Sequence, residues 1–150
     1  IVISEIHYNP GSDQGSDNDF EFIELYNAGD TVELAGFQVT TALNHTFTSY
    51  TFQSGSYLVL AKTAASFPDL GDSVIQWDSG SINNTGETIV VVDAAGLTLD
   101  TVSYEDGDAW PSAPDGSGPS LSLVDLSSDN SLPESWDASS AAGGSPGYAN

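Results

Sequence analysis

Short runs of β-branched and aromatic residues, each closed by a cluster of Gly, Asn, Asp or Ser, recur along the whole of this 150-residue chain. That rhythm is the pattern of strands separated by turns, and helical periodicity is scarce, so the chain is restricted to an all-β sandwich. Strands are expected near residues 1–8, 20–27, 31–40, 46–53, 56–61, 73–77, 87–93, 97–104 and 120–125. Turns at Asn27-Ala28-Gly29-Asp30 and Ala94-Ala95-Gly96 suit hairpins, the second joining 87–93 to 97–104. One short helix is expected at 62–67, stopped by Pro68. Residues 106–120 read as a Pro/Gly/Asp loop. Residues 126–150 read as an extended Ser/Ala/Gly/Pro-rich segment that Trp136 pins to the body of a single 1–150 domain.

Charge narrows the environment. Asp and Glu total 22 against a single Lys, which gives a net charge of −21 and a sequence pI near 4.1. With Lys62 alone there is no basic surface for nucleic acid or for an anionic membrane. No apolar run approaches the roughly 20 residues of a membrane span, and the chain opens directly on strand-like residues, as an excised domain would. Charged residues make up only 15% and hydrophobic residues 39%, so this is a packed domain with an anionic coat and not a disordered acidic tail. Self-repulsion of such a coat is relieved by salt, since the Debye length falls to roughly 3 Å at 1 M, and a saline setting fits. Cysteine is absent, which removes disulfides, thiolate zinc sites and thiol nucleophiles.

Two carboxylates break the apolar stripes. Strict alternation puts Ile1, Ile3, Glu5 and His7 on one face of the first strand, with Val2, Ser4, Ile6 and Tyr8 opposite. In the second, Phe20, Phe22, Glu24 and Tyr26 oppose Glu21, Ile23 and Leu25. Glu5 and Glu24 therefore sit among apolar neighbours, where a carboxylate must be paired, hydrogen-bonded, protonated or metal-bound. Pairing is nearly unavailable, because there is no Arg and one Lys cannot serve both strands. The alternatives are acceptance of backbone N–H bonds at a loop or sheet edge, and a hard cation, Ca²⁺ above all, held by several acidic oxygens. The candidate ligands are Asp13, Asp17, Asp19 and Glu21 of the loop Gly11-Ser12-Asp13-Gln14-Gly15-Ser16-Asp17-Asn18-Asp19-Phe20-Glu21, with Glu5 and with Asp106 of a second acidic loop. The order of residues is not that of an EF-hand.

Catalytic constellations are weak. His7 and His45 are the only histidines, and neither a His-Glu-x-x-His helix nor a Gly-x-Ser-x-Gly elbow occurs. Glu5 and Glu24 are the only carboxylates to consider as a glycosidase pair, and nothing in the sequence suggests a long sugar cleft. No catalytic residue and no enzyme activity are expected. Trp77, Trp110 and Trp136, with Tyr50 and Tyr57, are candidates for a sugar-stacking platform or for core filling.

Several stretches carry a resemblance. They are Ile3-Ser4-Glu5-Ile6-His7-Tyr8-Asn9-Pro10, Phe20-Glu21-Phe22-Ile23-Glu24-Leu25-Tyr26-Asn27 and Val32-Glu33-Leu34-Ala35-Gly36-Phe37. Gly55 to Lys62, Asn83 to Ile89, Asp100 to Tyr104, Gly118-Pro119-Ser120-Leu121 and Ser145-Pro146-Gly147 follow in order. In these the chain resembles a bacterial lamin-tail domain, which implies an immunoglobulin-like antiparallel β-sandwich. The resemblance further implies an accessory module of a large secreted or cell-surface protein with no catalytic role of its own. Nuclear lamin tails are linked to DNA, and a charge of −21 argues against carrying that property over. The expected function is a noncatalytic extracellular interaction or spacer module stiffened by calcium. Its partners would be neighbouring domains of the parent chain or another extracellular protein. The alternative is a carbohydrate-binding accessory module of a secreted hydrolase, with polysaccharide as partner.

Overall fold

Burial alternates along runs such as 43–46 and 87–92 but is nearly continuous along 2–7, 22–26, 57–61 and 119–123, and in the computed structural model, which describes residues 1–149, the runs pair into sheets. The strands are β1 (Val2–His7), β2 (Phe22–Tyr26), β3 (Val32–Glu33), β4 (Gln38–Thr41), β5 (Leu43–Thr46), β6 (Thr51–Phe52) and β7 (Tyr57–Ala61). They continue as β8 (Val74–Gln76), β9 (Ser79–Gly80), β10 (Glu87–Val92), β11 (Thr98–Tyr104), β12 (Pro119–Leu123) and β13 (Trp136–Ala142). One sheet has the order β13-β12-β1-β2-β7-β8, antiparallel except for the β7/β8 pair. A second runs β11-β10-β4-β5-β9, and β3 with β6 makes a short ribbon. The architecture is an immunoglobulin-like β-sandwich.

The core explains the stacking. Ile3, Ile6, Ile23, Leu25, Leu58, Leu60 and Leu121 from the first sheet meet Val39, Ile89, Val91 and Val102 from the second in one continuous cluster. Each such side chain contributes about 1.5–3 kcal/mol by leaving water. A smaller cluster of Phe22, Val59 and Ala61 lies apart from it, packed against Phe67, Leu70 and Val74. Strand β1 is central: β2 flanks it on one side and β12, more than a hundred residues later, on the other.

Three local expectations are corrected. The run at 31–40 breaks into β3 and β4 because Gly36, at φ 83°, turns the chain between them, and the run at 46–53 likewise yields the end of β5 and the separate β6. Residues 27–30 do not form a hairpin but carry the chain from β2 to β3 in a different sheet, fixed by the Asn27 amide donating to the carbonyls of Asp30 (3.0 Å) and Phe52 (2.9 Å). The helix expected at 62–67 is only a 3-10 turn, Ala64–Ser66, and Pro68, whose fixed φ and missing N–H suit a first position, opens further 3-10 structure over Pro68–Ser73 that is kinked at Gly71 (φ 55°). A further single α-turn, Asp17–Phe20, is capped by the Ser16 hydroxyl. Within the extended segment at 126–150, residues 136–142 form the edge strand β13, paired with β12. The hairpin at 94–96 forms as expected, with the Asp93 carboxylate accepting from Ala95 N–H at 2.8 Å and Leu97 N–H at 2.9 Å.

Trp136 ties the late chain down. Its ring is buried 6.2 Å from that of Trp110, and its indole N–H donates to the Asn130 carbonyl at 2.9 Å. The Asn130 side chain in turn donates to the Ile3 carbonyl and to Asp100, which accepts the Ile3 N–H at 2.6 Å. One polar node thus joins β1, β11 and the approach to β13. Trp136→Ala is expected to cost about 3–5 kcal/mol in urea unfolding, the range for truncating a large buried aromatic.

Candidate functional site

Strand β1 does not keep strict alternation. Ile3 pairs with Leu25 and Glu5 with Glu24, so Ser4 is an extra residue, a β-bulge. The bulge brings Ile3 onto the face of Ile6 and Tyr8 in the core, which alternation alone had placed opposite. It also sets Glu5 directly across from Glu24, and side chains in such cross-strand positions are about 4.5–5.5 Å apart at Cβ. Both glutamates are 0% exposed.

Each carboxylate is held by hydroxyls and by backbone amides. Ser4, the bulged residue, donates its hydroxyl to Glu24 Oε1 at 2.7 Å. Gly147 N–H donates to Glu24 Oε2 at 2.7 Å. Glu5 Oε1 accepts from the Ser120 hydroxyl on β12 and from Ser145 N–H at 3.0 Å, with the Ser145 hydroxyl 3.5 Å from Oε2. Residues 144–147 therefore lie over the pair as a lid of backbone. Burial pushes the Glu24 carboxyl up to about 8, opposed by the Ser4 bond, reinforced by the Glu5 charge and opposed again by the Gly147 amide. Burial raises Glu5 as well, against the bonds from Ser120 and Ser145.

The single cation goes elsewhere. Lys62 Nζ lies 3.3 Å from Glu21 Oε2, which also accepts the Ile82 N–H at 3.3 Å. Burial still raises the Glu21 carboxyl, and Asp17 adds to that, so Lys62 only partly compensates. Asp17 is half-buried and accepts from the Asn84 amide at 3.2 Å, whereas Asp13 and Asp19 are exposed. Asp106 is half-buried within electrostatic reach of Tyr8. The loop candidates Asp17 and Glu21 are thus neighbours, while Glu5 belongs to the pair with Glu24 and Asp106 to the surroundings of Tyr8. Among the described residues no group of three or more His, Cys, Asp or Glu side chains is placed to hold a metal ion.

The aromatic candidates divide in the same way. Trp77, Trp110 and Trp136 are all buried in the main core, and Tyr50 and Tyr57 are half-buried. Burial lowers His7 to about 4, so the ring is neutral, with Nε2 3.3 Å from the Gln14 amide nitrogen. Sequence reasoning missed Ser4, Ser120, Ser145, Gly144 and Gly147 as members of the site. The alternation of Ser120 and Ser122 with the buried Leu121 and Leu123 was a usable signal, since it marks a strand polar on one face and apolar on the other.

The sign of the pH dependence follows. Folded Glu24 keeps a proton that the unfolded chain releases between 4.5 and about 8, so the folded state binds more protons in that window and stability falls as pH rises through it. In urea unfolding, wild type is expected to lose about 1.4 kcal/mol per pH unit crossed, and Glu24→Gln to flatten that slope.

No curated protein matches the chain. The family description that does match is "Lamin Tail Domain", over residues 1–106. That span holds β1 to β11 and both glutamates, and it stops before Gly118-Pro119 and Ser145-Pro146-Gly147, on which the resemblance also drew. With most of the chain matched and an immunoglobulin-like sandwich formed, the chain belongs to the lamin tail domain family.

Proposed function

We propose that this domain is a noncatalytic interaction or spacer module of a larger extracellular or cell-surface bacterial protein, its partners being neighbouring domains or another extracellular protein. The observation that carries the reading is the use made of the Glu5 and Glu24 carboxylates. They are the nearest approach to an acid/base pair, yet they bind the chain's own Ser120 hydroxyl and Ser145 and Gly147 amides under a lid of backbone. A carboxylate pair engaged in this way fastens strands and has no face left for a substrate. Membership of an immunoglobulin-like family is consistent with an interaction module. The acidic coat, −21 over 150 residues, favours a setting in which salt screens self-repulsion.

Carbohydrate binding is the competing reading, and it needs exposed coplanar rings. Because the three tryptophans are in the core, the domain is expected to remain in the supernatant when mixed with insoluble cellulose or chitin. Retention on either would replace the interaction reading with the carbohydrate one.

Calcium enters this proposal through screening of the coat, since Asp17 and Glu21 already have Asn84 and Lys62 as partners. Millimolar Ca²⁺ and NaCl at matched ionic strength, compared with EDTA, are expected to raise Tm alike. A Ca²⁺-selective rise of about 5–11 °C, the shift for a ligand at roughly 100 times its Kd, would instead establish a specific site.

A further inference from the structure

Residues 144–147 cover the sheet where its two buried glutamates, Glu5 and Glu24, face each other. Gly144 leaves no space above Glu5: a Cβ added there would overlap Glu5 Oε1 and stand 2.7 Å from the Ser120 hydroxyl. The segment follows the edge strand β13 and has open clefts on both flanks. One is lined by Ser122, Asp137, Gly144 and Ser145, the other by Phe67, Leu70, Pro146 and Tyr148. Its floor is different in kind, because β1 and β2 are each paired on both sides and cannot yield without unzipping the sheet.

We propose that residues 144–147 form a proton-gated strap, closed over Glu5 and Glu24 while the pair carries protons and lifted from the sheet when both carboxylates ionise. Two negative charges on adjacent strands need a cation or water, and the groups around them supply no cation. Facing the pair are His7 from β1, Tyr26 from β2 and Tyr57 from β7. Asp137 from β13, Asp69 from the 3-10 turn and Tyr148 line the flanking clefts. From β12 come Ser120 and Ser122, and from β8, on the same face, Val74 and Gln76. His7 stays neutral because burial lowers it, Tyr57 is raised by burial and by Glu24, and the two aspartates add like charge. The amides of Ser145 and Gly147 favour the ionised form, but burial outweighs them. Water must therefore enter when the pair ionises, and lifting a peripheral segment between two clefts is the route that breaks the fewest strand bonds.

The test is a carbon-detected NMR titration of the full chain from about pH 5 to about pH 9.5, which reads backbone carbons without relying on exchanging amides. Side-chain carboxyl carbons of Glu5 and Glu24 are followed beside the Cα and carbonyl carbons of residues 144–147. The strap resonances are expected to move together with the Glu24 carboxyl, near its midpoint of about 8, while those of β1 and β2 hold still. In Glu24→Gln the strap is expected to stay closed over the whole range. A strap that remains closed while Glu24 titrates overturns the proposal, as does the same movement in Glu24→Gln or the absence of any carboxyl titration in the range. Should Glu24→Gln not fold, Glu5→Gln takes its place, and the wild-type titration decides by itself.

Discussion

Two carboxylates buried side by side on neighbouring strands, in a chain with one cation that is engaged elsewhere, constrain everything around them. Glu5 and Glu24 cannot be left bare, and each must find its partners among neutral groups. The fold answers with hydroxyls and amides drawn from four places: the bulge at Ser4, strand β12 at Ser120, and the backbone of Ser145 and Gly147. The bulge accordingly serves two ends. It restores Ile3 to the core and delivers a hydroxyl to Glu24, so a local irregularity in β1 and a polar site on the far face of the sheet are one feature.

The family match covers the two glutamates but not all of the groups that satisfy them. Residues beyond 106 supply β12, β13 and the backbone over the pair, and Leu121, Leu123 and Trp136 join the same core as Ile3 and Val102. Polar and apolar contacts both fasten the late chain to β1. Burial of carboxylates here is also opposite in sense to the common case in which a surface pair is lost in acid. This pair is easiest to bury when protonated, so acid favours the closed arrangement.

Much of this was legible in the sequence, and the limits are physical. The strand pattern and the turn at 94–96 pointed to an all-β sandwich, and the apolar stripes interrupted at Glu5 and Glu24 mark both residues as anomalous from their spacing alone. What alternation could not reveal was the bulge, because a single inserted residue changes the face of every side chain before it without changing composition. Strand β13 escaped because residues 136–142, Trp136-Asp137-Ala138-Ser139-Ser140-Ala141-Ala142, include no β-branched residue. Its pairing comes from its neighbour β12 and from one buried indole. Apart from Ser4, the partners of the two glutamates lay far along the chain, Ser120 and Ser145 at 115 and 140 residues from Glu5 and Gly147 at 123 from Glu24, and no local rule connects positions so distant.

The placement of β1 has a consequence for how the molecule is made. Its antiparallel neighbour β2 emerges shortly after it, but its other neighbour is residues 119–123. During vectorial synthesis β1 must wait, with one row of N–H and C=O groups unpaired, until residues 119–123 have left the ribosome. Contacts of such sequence separation close late and slowly. A nascent chain stalled before β12 would present that unpaired backbone edge to its neighbours, and the excess of carboxylates favours keeping such chains apart.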